Sequence, residues 1–162
     1  KKQQFELVLL GTAGSAYGKA ITKELKELVS KEFALIAFPG FVPQEEFDRH
    51  IAESDFFIVP TRIETRYTIY QEKYGSTKIS GSINDVIKYH KPALITAGYP
   101  IDKKMDAVFE HYATPEELAT KALQWMDSKA YEKLAFHTAL DDSLLTNVQH
   151  TYRKVFDQIL AK

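Results

Sequence analysis

The sequence predicts an α/β domain built on an open parallel sheet flanked by helices. Apolar runs of strand length alternate with segments of helical period, and most of these runs are continuous rather than in-out alternating, as in strands buried on both faces. Several also stop at Gly or Pro, as at Gly11, Pro39-Gly40 and Pro60. With 162 residues, the chain is long enough for a single core, so one domain spanning residues 1–162 is expected.

The first run, Phe5 to Leu10, is closed by Gly11 and leads through a small-residue loop to about Gly18. Ile21, Leu25, Leu28 and Val29 then recur at helical spacing, with Lys19, Lys23, Glu24, Lys26 and Glu27 on the water side. A second run, Phe33 to Phe38, ends at Pro39-Gly40. Pro43 and the acidic Gln44-Glu45-Glu46 suit a helix N-terminus, and Phe47 and Ile51 form the buried edge of that helix. A third strand, Phe56 to Val59, precedes an irregular polar and aromatic loop from Thr61 to about Ser76, the longest in the chain. A helix from about Ser80 to Tyr89 leads to a fourth strand, Pro92 to Thr96, and a weaker segment, Ala107 to Tyr112, reads as a fifth. Thr114-Pro115-Glu116-Glu117 is a capping box with proline at the first helical position, and its helix runs to about Asp127. The remainder reads as helical, with Leu145, Val148, Tyr152, Val155, Phe156 and Ile159 forming the last apolar stripe.

A net charge of -1 leaves no basic excess to neutralise a phosphate backbone, so nucleic acid is not an expected partner. The absence of cysteine rules out disulfides, a thiol nucleophile and a zinc-thiolate site, and fits a cytoplasmic home. The longest apolar runs, such as Phe56 to Val59, are far below the ~20 residues of a membrane span, and no export-signal pattern opens the chain. Lys1 in first position fits a piece of a longer protein.

The loop Gly11 to Lys19 has glycines and a lysine, but only three residues separate Gly14 from Gly18, and Ala20 follows Lys19, so it is not a P-loop. It reads as a tight strand-to-helix turn in which glycines allow positive φ. His50, His90, His111, His137 and His150 are scattered without metal-site spacing, and no serine sits in a nucleophile elbow. No metal or other cofactor is expected. Tyr67, Tyr70 and Tyr74 fit either a stacking surface or a loop packing its own aromatics.

The run Tyr74 to Asp85 is the most informative. Small residues entering a helix expose backbone N–H groups at the positive end of its dipole, where a diphosphate fits. Lys78 adds charge there, and Asp85 stands where a carboxylate can accept from ribose hydroxyls. The same residues also fit a plain cap at Ser80 with a solvated Asp85.

Taken with Phe5 to Gly11, Ala37-Phe38-Pro39-Gly40-Phe41-Val42-Pro43 and Ser54-Asp55-Phe56-Phe57-Ile58-Val59-Pro60-Thr61, the order of segments resembles the C-terminal domain of the retaining GT-B glycosyltransferases over most of the chain. The resemblance implies a Rossmann-like half of a GT-B fold that binds a nucleotide-diphosphate sugar as glycosyl donor. The partners it implies are that nucleotide sugar and an N-terminal acceptor-binding domain not included in this sequence. The family's first strand and helix, which carry an Arg and a Lys for the diphosphate, have no counterpart in residues 1–4.

Anchoring on His90-Lys91-Pro92-Ala93, the family's paired acidic motif falls on Thr77 and Asp85, so only the second carboxylate is kept. By resemblance Asp85 holds the ribose and the backbone from Lys78 to Ser82 holds the diphosphate. The implied donor site comprises Gly11, Thr12, Val42, Thr61, Thr77, Lys78, Ile79, Ser80, Gly81, Ser82 and Asp85, with no catalytic residue assigned. Glu64 and Glu72 are the acidic residues available to stand in for the lost carboxylate. The alternative is a non-catalytic domain of the same fold with a degenerate donor site.

Overall fold

The computed structural model describes residues 4–134 and 145–160. The chain is α/β, with parallel sheets flanked by helices, and it divides into two compact units, Lys1–Ser54 and Asp55–Lys162.

In the first unit, strands β1 (Phe5–Leu9) and β2 (Phe33–Ala37) pair in parallel, from Phe5 opposite Phe33 to Leu9 opposite Ala37, and helix α1 (Ala16–Glu27) forms the crossover. The rings of Phe5 and Phe33 lie 5.1 Å apart. Sequence predicts strands buried on both faces, but these are half-buried or exposed along their length, because each has a single partner strand in a two-stranded sheet. Ser15 caps α1 by accepting from the Gly18 amide at 3.0 Å. The glycines of this turn do not serve a positive φ, which among the described glycines occurs at Gly75 and Gly98 alone. Gly18 serves close approach instead, since a Cβ there would lie 3.1 Å from Ala13 Cα. Helix α2 (Gln44–Glu53) starts after Pro43 with Glu45 and Glu46 in its first turn, and it buries His50 and Ile51. Phe38 meets the His50 ring edge-on at 5.4 Å.

In the second unit, β3 (Phe57–Val59), β6 (Ala93–Thr96) and β7 (Phe109–Tyr112) form a parallel sheet with β6 in the middle. Successive side chains of a strand point to opposite faces. Ala93 and Ile95 accordingly pack with Val59, Ile83, Val86, Val108 and Phe109, while Leu94 packs with Tyr112 and Trp125. All three of these β6 residues are fully buried, which explains the unbroken apolar run. Helix α3 (Gly81–Tyr89) supplies Ile83 and Val86 to one cluster, and α4 (Pro115–Ser128) supplies Trp125 to the other.

The capping box starts α4 as expected, with Thr114 Oγ1 accepting from the Glu117 amide at 3.2 Å. Glu117 reaches back one residue further than the cap, accepting from the Ala113 amide at 2.7 Å. The weak fifth strand is present but shorter than its sequence run, because a 3-10 helix occupies Lys103–Val108.

The clearest departure is the segment expected to be irregular. Within Thr61 to Ser76 the chain forms an antiparallel hairpin, β4 (Glu64–Tyr67) and β5 (Tyr70–Lys73), with Thr65 opposite Glu72 and Tyr67 opposite Tyr70. Thr, Tyr and Ile favour strands, but the connecting Thr68-Ile69 lacks the Gly, Asn or Asp that marks a tight turn. Thr68 adopts φ 55° without that help.

After α4 a 3-10 helix spans Ala130–Lys133, and α5 runs over Leu145–Leu160. Residues 135–144, within the stretch read as helical, lie outside the described residues, as do the side chains of Leu145, Val148 and Val155. Of the remaining stripe, Tyr152, Phe156 and Ile159 are exposed. Among the described residues no helix is long and apolar enough to cross a membrane.

Candidate functional site

The run singled out from sequence lies in the second unit, between the hairpin and α3. Its turn is closed around one carbonyl: Lys73 O accepts from the amides of Ser76 at 3.1 Å, Thr77 at 2.9 Å and Lys78 at 3.3 Å. The Thr77 hydroxyl accepts from the Lys73 amide at 2.8 Å, and the Gly75 amide donates to Lys78 O at 2.7 Å. The backbone of Lys78, expected to be offered to a diphosphate, is therefore committed to the turn. Thr77 likewise serves the turn through its hydroxyl.

Two residues that sequence reasoning passed over hold this turn against the end of β6. Pro100 packs on Gly75, and Tyr99, a residue 6% exposed, accepts through its hydroxyl from the Ser80 amide at 3.4 Å. Nineteen residues separate Tyr99 from Ser80, and no spacing rule links them. Ser80 occupies the cap position of α3 and is buried, but its side chain makes no capping hydrogen bond, so the plain-cap account does not describe it. Gly81 and Ser82 open the helix in exposed positions, and neither has an acidic residue in its turn. Their amides belong to the first turn, which has no intrahelical acceptors.

Lys78 is the charged group here. Its Nζ lies 2.8 Å from Glu72 Oε2 on β5 and 5.3 Å from the centroid of the Tyr74 ring. The hydrogen bond to Glu72 holds the Lys78 pKa above its ordinary 10.5, against a smaller opposing effect of burial. The two side chains are 41% and 28% exposed, so water screens the pair and its net contribution to stability is small. Glu72, one of the carboxylates considered for the missing acidic position, is thus tied to the lysine.

The other expected site residues divide between the units. Gly11 and Thr12 are exposed in the loop after β1, with the Gly11 amide donating to Leu9 O at 3.1 Å, and Val42 is buried just before α2. Thr61 is half-buried beyond β3, its amide donating to Val59 O at 2.9 Å. Ile79 is exposed at 75%, and Asp85 is half-buried on α3. Of the tyrosines weighed as a stacking surface, Tyr74 packs against the core, Tyr70 is exposed and the side chain of Tyr67 lies outside the described residues. Among the described residues no three His, Asp or Glu side chains are grouped to hold a metal ion.

Comparison with known protein families, with curated proteins and with solved structures finds no match in any of the three.

Proposed function

We propose that this chain is the donor-binding domain of a glycosyltransferase, taking a nucleotide-diphosphate sugar through the diphosphate and acting without a metal. The observation that carries the reading is that the start of α3 lies at the carboxyl end of parallel strand β6, where the Ser80 amide meets the Tyr99 hydroxyl and Gly81 and Ser82 open the helix, with Lys78 two residues before the cap. Ligands of open α/β sheets bind beyond that end, and a helix N-terminus with a nearby cation suits an anion. Asp85, further along α3, is the group for the ribose. Stabilising the departing diphosphate would be this domain's share of catalysis, with sugar transfer requiring an acceptor-binding partner domain.

A second reading, a non-catalytic binding domain with a degenerate donor site, is favoured by one specific observation. Thr77, where the resemblance calls for a carboxylate, spends its hydroxyl on the Lys73 amide.

Calorimetric titration with UDP, GDP and ADP tests both. The donor reading expects saturable binding of one nucleotide, lost in Lys78→Ala and Asp85→Ala variants that keep the wild-type melting temperature. Failure of all three nucleotides to bind removes the donor reading and leaves the second.

A further inference from the structure

Glu72 has two potential partners within reach of its place in the hairpin. It holds Lys78 at 2.8 Å, and directly across the strand pair from it stands Thr65. Directly opposite residues lie on the same face with Cβ atoms about 4.5–5.5 Å apart, close enough for a threonine hydroxyl to donate to a glutamate carboxylate. The Thr65 hydroxyl is buried and has no hydrogen-bond partner among the described residues. A buried hydroxyl left unpaired is destabilising, so the face of the hairpin that carries Glu72 also carries an unmet demand for an acceptor. Meanwhile the cation Lys78 is already neutralised by a carboxylate of the same chain, and an incoming anion must displace that carboxylate to reach it.

We propose that Glu72 is a two-position latch: it occupies Lys78 in the free chain, and an anionic phosphate group displaces it toward the Thr65 hydroxyl. The inference rests on the reading of Lys78 as an anion-binding residue. In the closed position Glu72 ties strand β5 to the turn before α3. In the open position the Lys78 ammonium faces the phosphate, and the carboxylate satisfies the orphan hydroxyl. The movable part is the Glu72 side chain, since the backbone of β5 is fastened to the turn through the Lys73 amide and carbonyl. The latch makes phosphate binding a competition between two anions for one lysine, so the affinity is set partly by a residue that never touches the ligand. A ligand shifts such an equilibrium only by its differential affinity for the two positions.

The test is calorimetric titration of the full chain with inorganic pyrophosphate, with melting curves as a check on folding. Glu72→Gln removes the competitor and is expected to tighten binding about two- to fivefold, the range of an exposed ion pair. Thr65→Val keeps the shape and removes the alternative partner. It is expected to weaken binding by a similar factor without lowering the melting temperature, and to have no effect when Glu72 is already Gln. Lys78→Met is expected to weaken binding about tenfold or more in either background, in line with loss of a charge-assisted hydrogen bond. Binding that depends on Lys78 but is unchanged or weakened by Glu72→Gln overturns the latch and leaves the phosphate-binding reading intact. Absence of pyrophosphate binding in the wild type and in Glu72→Gln overturns both.

Discussion

Gly75 turns with φ +79° directly against Pro100, so that a Cβ built on it would lie 2.4 Å from the proline Cγ. The contact joins the turn after the hairpin to the segment after β6, and the Gly75 amide in turn donates to the Lys78 carbonyl. Gly75→Ala meets both a backbone region that favours glycine and a steric overlap with a rigid ring. The expected cost is about 1–3 kcal/mol, measured by urea unfolding with the single tryptophan, Trp125, as reporter. Gly81→Ala is the control: its Cβ meets nothing within 4 Å, and its effect is expected to stay within about 0.5 kcal/mol. Equal costs at the two sites would refute the steric account.

Trp125 is the pin of the second cluster. It is 2% exposed, meets Phe56 edge-on at 5.1 Å, and its indole N–H donates to Glu110 at 2.6 Å. Trp125→Ala removes a large ring from between α4 and the sheet and is expected to cost about 3–5 kcal/mol, followed by circular dichroism because the fluorescent reporter is gone. A loss under 1 kcal/mol would mean that the cluster can collapse around the missing ring.

The parts legible in the sequence were those specified locally. Thr114 to Glu117 announces its helix because the cap, the proline and the returning glutamate lie within four consecutive residues. The unbroken run Ala93-Leu94-Ile95 announces a central strand because both of its faces must be apolar. The hairpin was not legible, because strand propensity in Thr65, Tyr67 and Tyr70 is offset by the neighbouring charges Glu64, Arg66, Glu72 and Lys73, and no turn residue marks Thr68-Ile69. At the candidate site, the lysine and the small residues entering α3 were visible, but their fixings were not. Tyr99 on Ser80, Pro100 on Gly75 and Glu72 on Lys78 are tertiary contacts that arise only once the chain has folded back.

The cap of α4 gives the second unit a pH-dependent stability. Glu117 is held below its ordinary 4.5, first by the Ala113 amide and then by Lys121, and Glu116 is lowered by its own amide and by Thr114. A carboxylate with a depressed folded value stabilises the fold above its unfolded pKa, and the stability is lost as pH falls through the folded value. The melting temperature of the wild type should therefore fall as the pH drops below about 4.5, and less steeply in Glu117→Gln. Thr114→Ala should cost about 1 kcal/mol at neutral pH by orphaning the Glu117 amide. An acid limb of unchanged slope in Glu117→Gln would show that the carboxylate is not part of it.

Lys129 ends α4 in the left-handed region, φ 52° and ψ 35°, where a helix usually places glycine. A residue with a Cβ loses roughly 1–2 kcal/mol there, whereas glycine adopts the region freely but gives up more chain entropy on folding. The ion pair that Lys129 makes with Glu132 at 3.4 Å joins two side chains more than half exposed, so little is forfeited by removing it. Lys129→Gly is accordingly expected to stabilise the second unit by about 0.5–1 kcal/mol in urea unfolding. Lys129→Val, with a branched side chain in the same backbone region, should destabilise it by a larger amount. The opposite order of the two variants would mean that the chain leaves the left-handed conformation at Lys129 without penalty.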